Sequence, residues 1–530
     1  MRTQLHHLVS GSAKKRGHAP ALIFKDTTLV YIELWERIVA FGEGLTRIGL
    51  GRSQRVAVYL DKRIETVISI FGTSVAAGVF VPVNPLLRAK QVAHILDDCS
   101  VRVLVTSVER YELLRGELAT CKSIEYVILV GTAAALAASD HYGVLAWDKL
   151  HSGGEVARAP DRGAIDTDVA AILYTSGSTG KPRGVVLSHR NLLAGAESVS
   201  QYLGNDQHDR ILAALPLSFD AGFSQLTTGF LVGARIVLMN YLHPGDVVRL
   251  CAKHSITGLT CVPPLWIQLA DQAWPVEVTR HMRYFANTGG RLPKVTLERL
   301  RMTFSAARPY LMYGLTEAFR STYLDPAEVD RRPDSIGKAV PNAEILLVRE
   351  DGTLCEPGEQ GELVHRGALV AMGYWNDPEA TAERFRPPPG RESGLCAPEI
   401  AVWSGDLAYR DDEGFLYFVS RIDEMIKTSG YRVSPTEIEE VVYDTGLACD
   451  AVALGLDDSR LGQSIVLVVA PPDGIALDSS ALLAELRKRL PLYMLPKEVV
   501  VLPRIPRSPN GKFDRKLLRH ELTLRDIEAR

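Results

Sequence analysis

Apolar positions along this chain cluster into short unbroken runs separated by longer mixed stretches. Residues 55–60, 101–105, 126–130 and 235–239 are such runs, and 169–173 is another. Runs of this length bounded by turn residues read as buried strands. Helix-length segments lie between several of them, over 31–48 and 89–98. That alternation predicts α/β layers with largely parallel sheets. Residues 66–87 are uncharged and mostly apolar, long enough to suggest a membrane span. Gly72, Gly78, Pro82, Asn84 and Pro85 interrupt them, so a buried helix, a turn at Gly78 and a strand over 79–83 fit better. After Ile336 the texture changes to short strands, over 344–348 and 361–365, with turns such as Asp351-Gly352. A β-rich subdomain over about 336–422 is expected. Beyond 421–423, a helix over 435–443, strands over 451–456 and 463–469 and a helix over 480–490 predict a compact α+β domain. At 530 residues the chain exceeds one core. The expected class is α/β: a large N-terminal domain of layered α/β sheets with its β-rich subdomain, residues 1–422, and a small α+β domain, 423–530.

Charge narrows the function classes. A net charge of −3 excludes a broad basic footprint for nucleic acid. The seven cysteines are scattered, odd in number and in no metal-ligand spacing, as in a reduced cytoplasmic protein that buries them as small hydrophobes. Lys14, Lys15 and Arg16 are followed by no apolar segment of signal-peptide type.

The most informative segment runs from Tyr174 to Gly184. It contains Thr175, Ser176, Gly177, Ser178, Thr179, Gly180 and Lys181, followed by Pro182 and Arg183. Its backbone N–H groups, hydroxyls and two cations suit a phosphate chain. It is not a Walker A loop, which needs four residues between its glycines and Ser or Thr after the lysine. Here only Ser178 and Thr179 separate Gly177 from Gly180, and proline follows the lysine. The bland alternative is a polar hairpin turn.

Further strings stand in order along the chain: 288–290 (Thr-Gly-Gly), 313–317 (Tyr-Gly-Leu-Thr-Glu), 403–406 (Trp-Ser-Gly-Asp), 420–439, and the loop 508–516 around Lys512. Singly, each also reads as a turn, a helix start or a solvated basic loop. Together, and over essentially the whole length, they resemble the adenylate-forming superfamily of acyl-CoA synthetases, firefly-luciferase-like enzymes and peptide-synthetase adenylation domains.

The resemblance implies roles. Gly289 and Gly290 lie against the purine and Tyr313 covers it. Thr316 bonds the α-phosphate and Glu317 holds Mg2+. Asp406 and Arg421 take the ribose hydroxyls. Lys512 is the catalytic lysine, acting with Thr316 and Glu317. Asp423 is the hinge of a mobile C-terminal lid, and Gly430, Lys427 and Arg432 serve the thiol arm. Ser420 departs from the usual glycine and weakens the expectation for that turn, not for the arginine. The implied reaction is ATP-dependent activation of a small carboxylic or amino acid to an acyl-adenylate, then transfer to CoA or a carrier-protein phosphopantetheine with release of AMP.

Residues 215–223 sit where relatives begin their acyl pocket. Phe219-Asp220 resembles the peptide-synthetase pair whose aspartate meets the substrate ammonium, although Gly222 replaces the expected serine. Asp220 as a helix cap is the competing reading. Residues 216–220, 401–406 and 423–432 more narrowly resemble the AMP-forming ligases of exosortase A systems. An amino-acid adenylating enzyme that loads a carrier protein stays open. So does a non-catalytic nucleotide-binding scaffold, against which stands the joint presence of Glu317, Asp406, Arg421 and Lys512.

Overall fold

The computed structural model describes residues 2–131, 141–151, 163–175, 182–390, 399–422, 424–428, 431–458, 461–472, 476–508 and 511–528. Two large sheets dominate the N-terminal domain. One has seven strands in the order Gly143–Ala146, Tyr126–Val130, Val103–Ser107, Arg55–Tyr59, Val79–Pro82, Val169–Thr175 and Arg183–Ser188. It is parallel up to the last pair, which is antiparallel. The other has nine strands, with Arg210–Ala213, Gly258–Cys261, Tyr284–Asn287 and Arg308–Tyr313 parallel at its centre. The continuous apolar runs become strands buried on both faces, which parallel sheets covered by helices require.

Helices fill the space between the sheets. The helix Tyr31–Arg47 buries Tyr31, Leu34, Ile38, Phe41 and Leu45, the one-stripe spacing of a 3.6-residue period. Phe80 of the seven-stranded sheet meets Phe223 of the helix Asp220–Val232 at 5.1 Å between ring centroids. Phe71 of the helix Ile64–Val75 joins them through Phe230 at 5.3 Å. The apolar stretch 66–87 is thus a buried helix followed by the strand Val79–Pro82. Its glycine has a packing reason. A Cβ on Gly72 would lie 2.7 Å from the Phe41 ring and 3.0 Å from the Ile38 carbonyl, so the two helices touch backbone to backbone there. No helix among the described residues is long and apolar enough to cross a membrane.

One buried cation ties the two sheets together. Lys62, 8 % exposed, follows the strand Arg55–Tyr59, and its Nζ donates to the carbonyls of Ala213, Ala214 and Leu215 at 2.8, 2.7 and 3.1 Å. Its backbone exchanges two further bonds with the Asn240 side chain, both 2.9 Å. Burial pushes the ammonium down to about 7, while the three carbonyls favour its charged form. Lys62→Met keeps the stem but leaves three carbonyls without donors. It should lower unfolding free energy by about 3 kcal/mol in urea titrations. A loss below about 0.5 kcal/mol, the range of neutral surface changes, would show that these bonds carry little.

The β-rich subdomain is a five-stranded sheet of Ala343–Val348, Gln360–Gly367, Phe385–Arg386, Ala401–Arg410 and Leu416–Arg421. The C-terminal domain has its own sheet. In the strand Gly462–Ala470, Ile465, Leu467 and Val469 face the helices Pro435–Asp444 and Ser479–Arg489, while Val466 and Val468 face the helix Arg515–Glu528. That is strand alternation serving a two-sided core. Five of the six described cysteines are buried, and Cys396 lies outside the described residues.

Candidate active site

The strand Arg308–Tyr313 ends with Tyr313, whose hydroxyl donates to Asp406 Oδ2 at 2.5 Å. Asp406 stands directly opposite Arg421 in the antiparallel register of Ala401–Arg410 and Leu416–Arg421. Arg421 Nη1 lies 3.2 Å from Asp406 Oδ1 as a charge contact. That oxygen nonetheless accepts no hydrogen bond among the described residues, although Asp406 is only 7 % exposed. Burial pushes the carboxyl up, and Arg421, the Tyr313 bond, Arg384 and Lys512 pull it back toward ionisation. A buried carboxylate oxygen held only by a charge contact keeps acceptor capacity that neighbouring ligand hydroxyls would use. The residues expected to hold ribose fit that group.

Lys512 comes from the other domain and is exposed, close enough to Asp406 for its charge to act there. Its loop is held from beneath. Ser508 N–H donates to the Lys512 carbonyl and Gly511 N–H to that of Ser508, both at 2.8 Å. Arg507 forks onto Asp450 at 2.7 and 2.8 Å and also donates to the Gly511 carbonyl. Arg515, just beyond, bonds Glu439 at 2.6 Å and the Ala453 carbonyl, and lies 3.5 Å from Glu424. Two arginine–carboxylate pairs thereby anchor the chain on either side of Lys512. An Arg291–Glu440 ion pair joins the two domains.

The turn expected under the purine follows the strand Tyr284–Asn287. Asn287 Nδ2 donates to the Gly290 carbonyl at 2.8 Å, and Gly289 has φ +76, a conformation glycine adopts without strain. Val262 stands between this turn and the lysine loop. A Cβ on Gly289 would lie 3.2 Å from one of its methyls, and a Cβ on Gly511 3.9 Å from the other.

Thr316 and Glu317 form a single turn, Thr316–Ala318. Glu317 Oε1 accepts from the Tyr374 hydroxyl at 2.7 Å, and its carbonyl from Ala371 N–H at 2.8 Å. Tyr374 bridges to Val185 and carries the Arg183 guanidinium over its ring at 5.6 Å. Glu317 therefore sits beside the hairpin of Thr175 and Arg183. The loop residues Ser176, Gly177, Ser178, Thr179, Gly180 and Lys181 lie outside the described residues, as do Asp423 and Gly430. Lys427 and Arg432 pair in register across the strands Ile426–Thr428 and Tyr431–Val433. Among the described residues no group of three His, Cys, Asp or Glu could hold a metal. A lone carboxylate completed by phosphate oxygens is a usual Mg2+ arrangement, and Glu317 fits it.

Asp220 begins the helix Asp220–Val232, which has no side-chain cap bond. Its carboxylate meets the Arg320 guanidinium, Nη1 to Oδ2 at 2.5 Å, and approaches Thr316 Oγ1 at 3.5 Å. A substrate ammonium would find this carboxylate already paired. The sequence reading missed Arg320 and Tyr374. A trace of Arg320 was there: an arginine inside the otherwise uncharged stretch 318–324, directly after the Thr-Glu pair.

Residues 9–375 match the family described as AMP-binding enzyme, and residues 437–512 its C-terminal domain. A feruloyl-CoA synthase of Amycolatopsis sp is 30% identical over 506 residues, covering 94% of this chain and 95% of its own. A long-chain-fatty-acid–CoA ligase of Salmonella typhimurium is 29% identical over 546 residues, covering 98% and 94%. The o-succinylbenzoate coenzyme A synthetase of Bacillus subtilis, solved with ATP and a magnesium ion, superposes with a TM-score of 0.81 at 25% identity, covering 98% and 99%. On these matches the chain belongs to the AMP-binding enzymes of the adenylate-forming superfamily, among its AMP-forming acyl-CoA ligases.

Proposed function

We propose that this ligase joins a small carboxylic acid to CoA in two half-reactions at the site around Asp406 and Lys512. The observation that carries the proposal is the buried Asp406 oxygen that accepts no well-aligned hydrogen bond, in charge contact with Arg421 and within the field of Lys512. Asp406 and Arg421 hold the ribose, Tyr313 covers the base, and Gly289-Gly290 lie beneath it. Thr316 bonds the α-phosphate. The acid's carboxylate oxygen attacks the α-phosphorus, the bond to the β-phosphate oxygen breaks, and pyrophosphate leaves. Charge grows on phosphate oxygens as it does so, and Lys512 is placed to meet it. Mg2+ at Glu317 would neutralise phosphate charge.

For the second half-reaction the lid turns about Asp423. Lys512 withdraws and the Gly430 face arrives. A thiolate attacks the acyl carbon, the acyl–phosphate bond breaks, and AMP leaves. Lys427 and Arg432 serve this step. The Asp220–Arg320 pair weighs against an amino acid, because the carboxylate that would meet an ammonium is already paired. We further infer a cytoplasmic enzyme, with a carrier protein as the second acceptor to assay if the exosortase-associated resemblance holds.

The test is Mg2+-dependent ATP–pyrophosphate exchange across a panel of acids. Exchange should require an acid, and the nucleotide product with CoA should be AMP. ADP and phosphate as products would overturn the reading.

A further inference from the structure

A cavity of about 10 Å3 lies between the helix Asp220–Val232 and the strands Arg210–Ala213, Gly258–Cys261 and Arg308–Tyr313, with Ser224, Thr228, Thr260, Tyr284, Met312 and Arg320 in its wall. That volume admits about one water-sized group. Aromatics pack around Tyr284 and Met312 of that wall. Tyr202 stacks on Tyr323 at 4.3 Å and donates to Met312 Sδ at 2.9 Å, and Tyr284 meets Tyr310 edge-on at 6.1 Å. A packed wall of this kind does not yield to a long chain without rearrangement.

Arg320 is the unusual member. Its side chain is 2 % exposed. Nη1 donates to Asp220 Oδ2 and to the Phe319 carbonyl, and the guanidinium also has the Tyr202 hydroxyl as a hydrogen-bonding neighbour, while Nε–H itself meets no acceptor in bonding geometry among the described residues. The charge is balanced and the donors are not. A buried guanidinium N–H without an acceptor asks for an oxygen. The reacting end lies close by, since Asp220 touches both Arg320 and Thr316.

Resting on the adenylation reading above, we propose that Arg320 sets acyl specificity. It selects a short acid carrying an uncharged acceptor oxygen, a hydroxyl or a ketone, a few bonds from the carboxyl. A second carboxylate brings a charge that the Asp220-paired guanidinium no longer offsets. An ammonium finds no free carboxylate. A plain alkyl chain leaves the Nε–H unpaired, and a long one has no room.

The experiment is pyrophosphate exchange with 3-hydroxybutanoate, 4-oxopentanoate, butanoate, succinate, 4-aminobutanoate and decanoate. Wild type should favour the hydroxy or oxo acid over butanoate by at least about a hundredfold in kcat/KM, a floor set below the roughly 10^4-fold by which sites built to bond a polar group reject analogues lacking it. Arg320→Lys keeps the pairing with Asp220 but loses the planar fork, and should cut that preference at least tenfold. The double variant Asp220→Asn, Arg320→Met removes both buried charges and should prefer butanoate. Equal or better wild-type exchange with butanoate, succinate, 4-aminobutanoate or decanoate overturns the specificity proposal and leaves the adenylation reading standing. Absence of exchange with every acid overturns both. If neither variant folds, the wild-type panel alone decides.

Discussion

Lys512→Ala should slow adenylate formation by about a thousandfold, while thioester formation from a supplied acyl-adenylate stays within about threefold of wild type. The side chain is exposed and packs against nothing that holds the lid together. The loop's shape comes from Arg507, Ser508 and Gly511, none of which the substitution touches. The variant should therefore fold normally, and the lost rate should come from the lost ammonium. Removing one fixed donor from a developing oxyanion costs about 3–4 kcal/mol in other enzymes, which sets the scale. Pyrophosphate exchange measures the first half-reaction, and a synthetic adenylate with CoA measures the second. Equal losses in both would mean that the lysine serves both postures of the lid. Lys512→Arg should recover little, because a planar fork does not place charge where a compact ammonium does.

Acid should unfold this protein well above the carboxylate range. His6, His189 and His365 are buried, and burial pushes them down to about 3, 4 and 3. Their bonds suit neutral rings. His189 Nδ1 accepts from Leu5 N–H at 3.2 Å, and the Nδ1 atoms of His6 and His365 lie 3.0 and 2.9 Å from Ser74 and Ser321 hydroxyls. An unfolded histidine titrates at 6.5. Above that pH neither state carries the protons, and the native bonds count in full. Below it the unfolded chain takes up protons that the folded chain refuses, so stability falls as pH falls from 6.5 toward 4. At pH 5 each ring has lost about 2 kcal/mol and the three together about 6, against about 5–15 for a whole domain. Urea midpoints should drop steeply between pH 7 and pH 5. His365→Gln should be less stable at pH 7 but should flatten that slope. A flat profile in wild type would mean that the folded protein accommodates imidazolium.

Much of the frame could be read from the chain because it rests on local pattern. The runs at 55–60, 126–130 and 235–239 are the strands Arg55–Tyr59, Tyr126–Val130 and Arg235–Leu238, and 89–98 is the helix Ala89–Asp98. Each buries its apolar residues at its own period, and no distant partner is needed to see it. Sheet order is another matter. Val79–Pro82 lies beside Val169–Thr175, a neighbour some ninety positions away that periodicity does not name. The polar contacts were hidden for the same reason. Lys62 reads as an ordinary charged residue until Ala213, Ala214 and Leu215 arrive around it. Asp220 invited two readings, cap or ammonium partner, and the structure pairs it with Arg320 instead. The string around Tyr313 reads as a turn followed by a helix start, and Thr316 and Glu317 lie in a single helical turn, but nothing in it names Tyr374, which arrives from a separate segment to hold Glu317.

Val262 deserves a last consequence. One of its methyls faces the glycine turn under the base and the other faces the glycine beside Lys512. On the lid movement proposed above, a single branched side chain would stand against both of the parts that move relative to each other. Trimming it to loosen the fit of the base also lets the lid travel further, and enlarging it to tighten that fit holds the lid away. On that reading, base preference and the timing of the first chemical step are coupled at this position. A lineage altering one must alter the other, or compensate from Gly289 or Gly511.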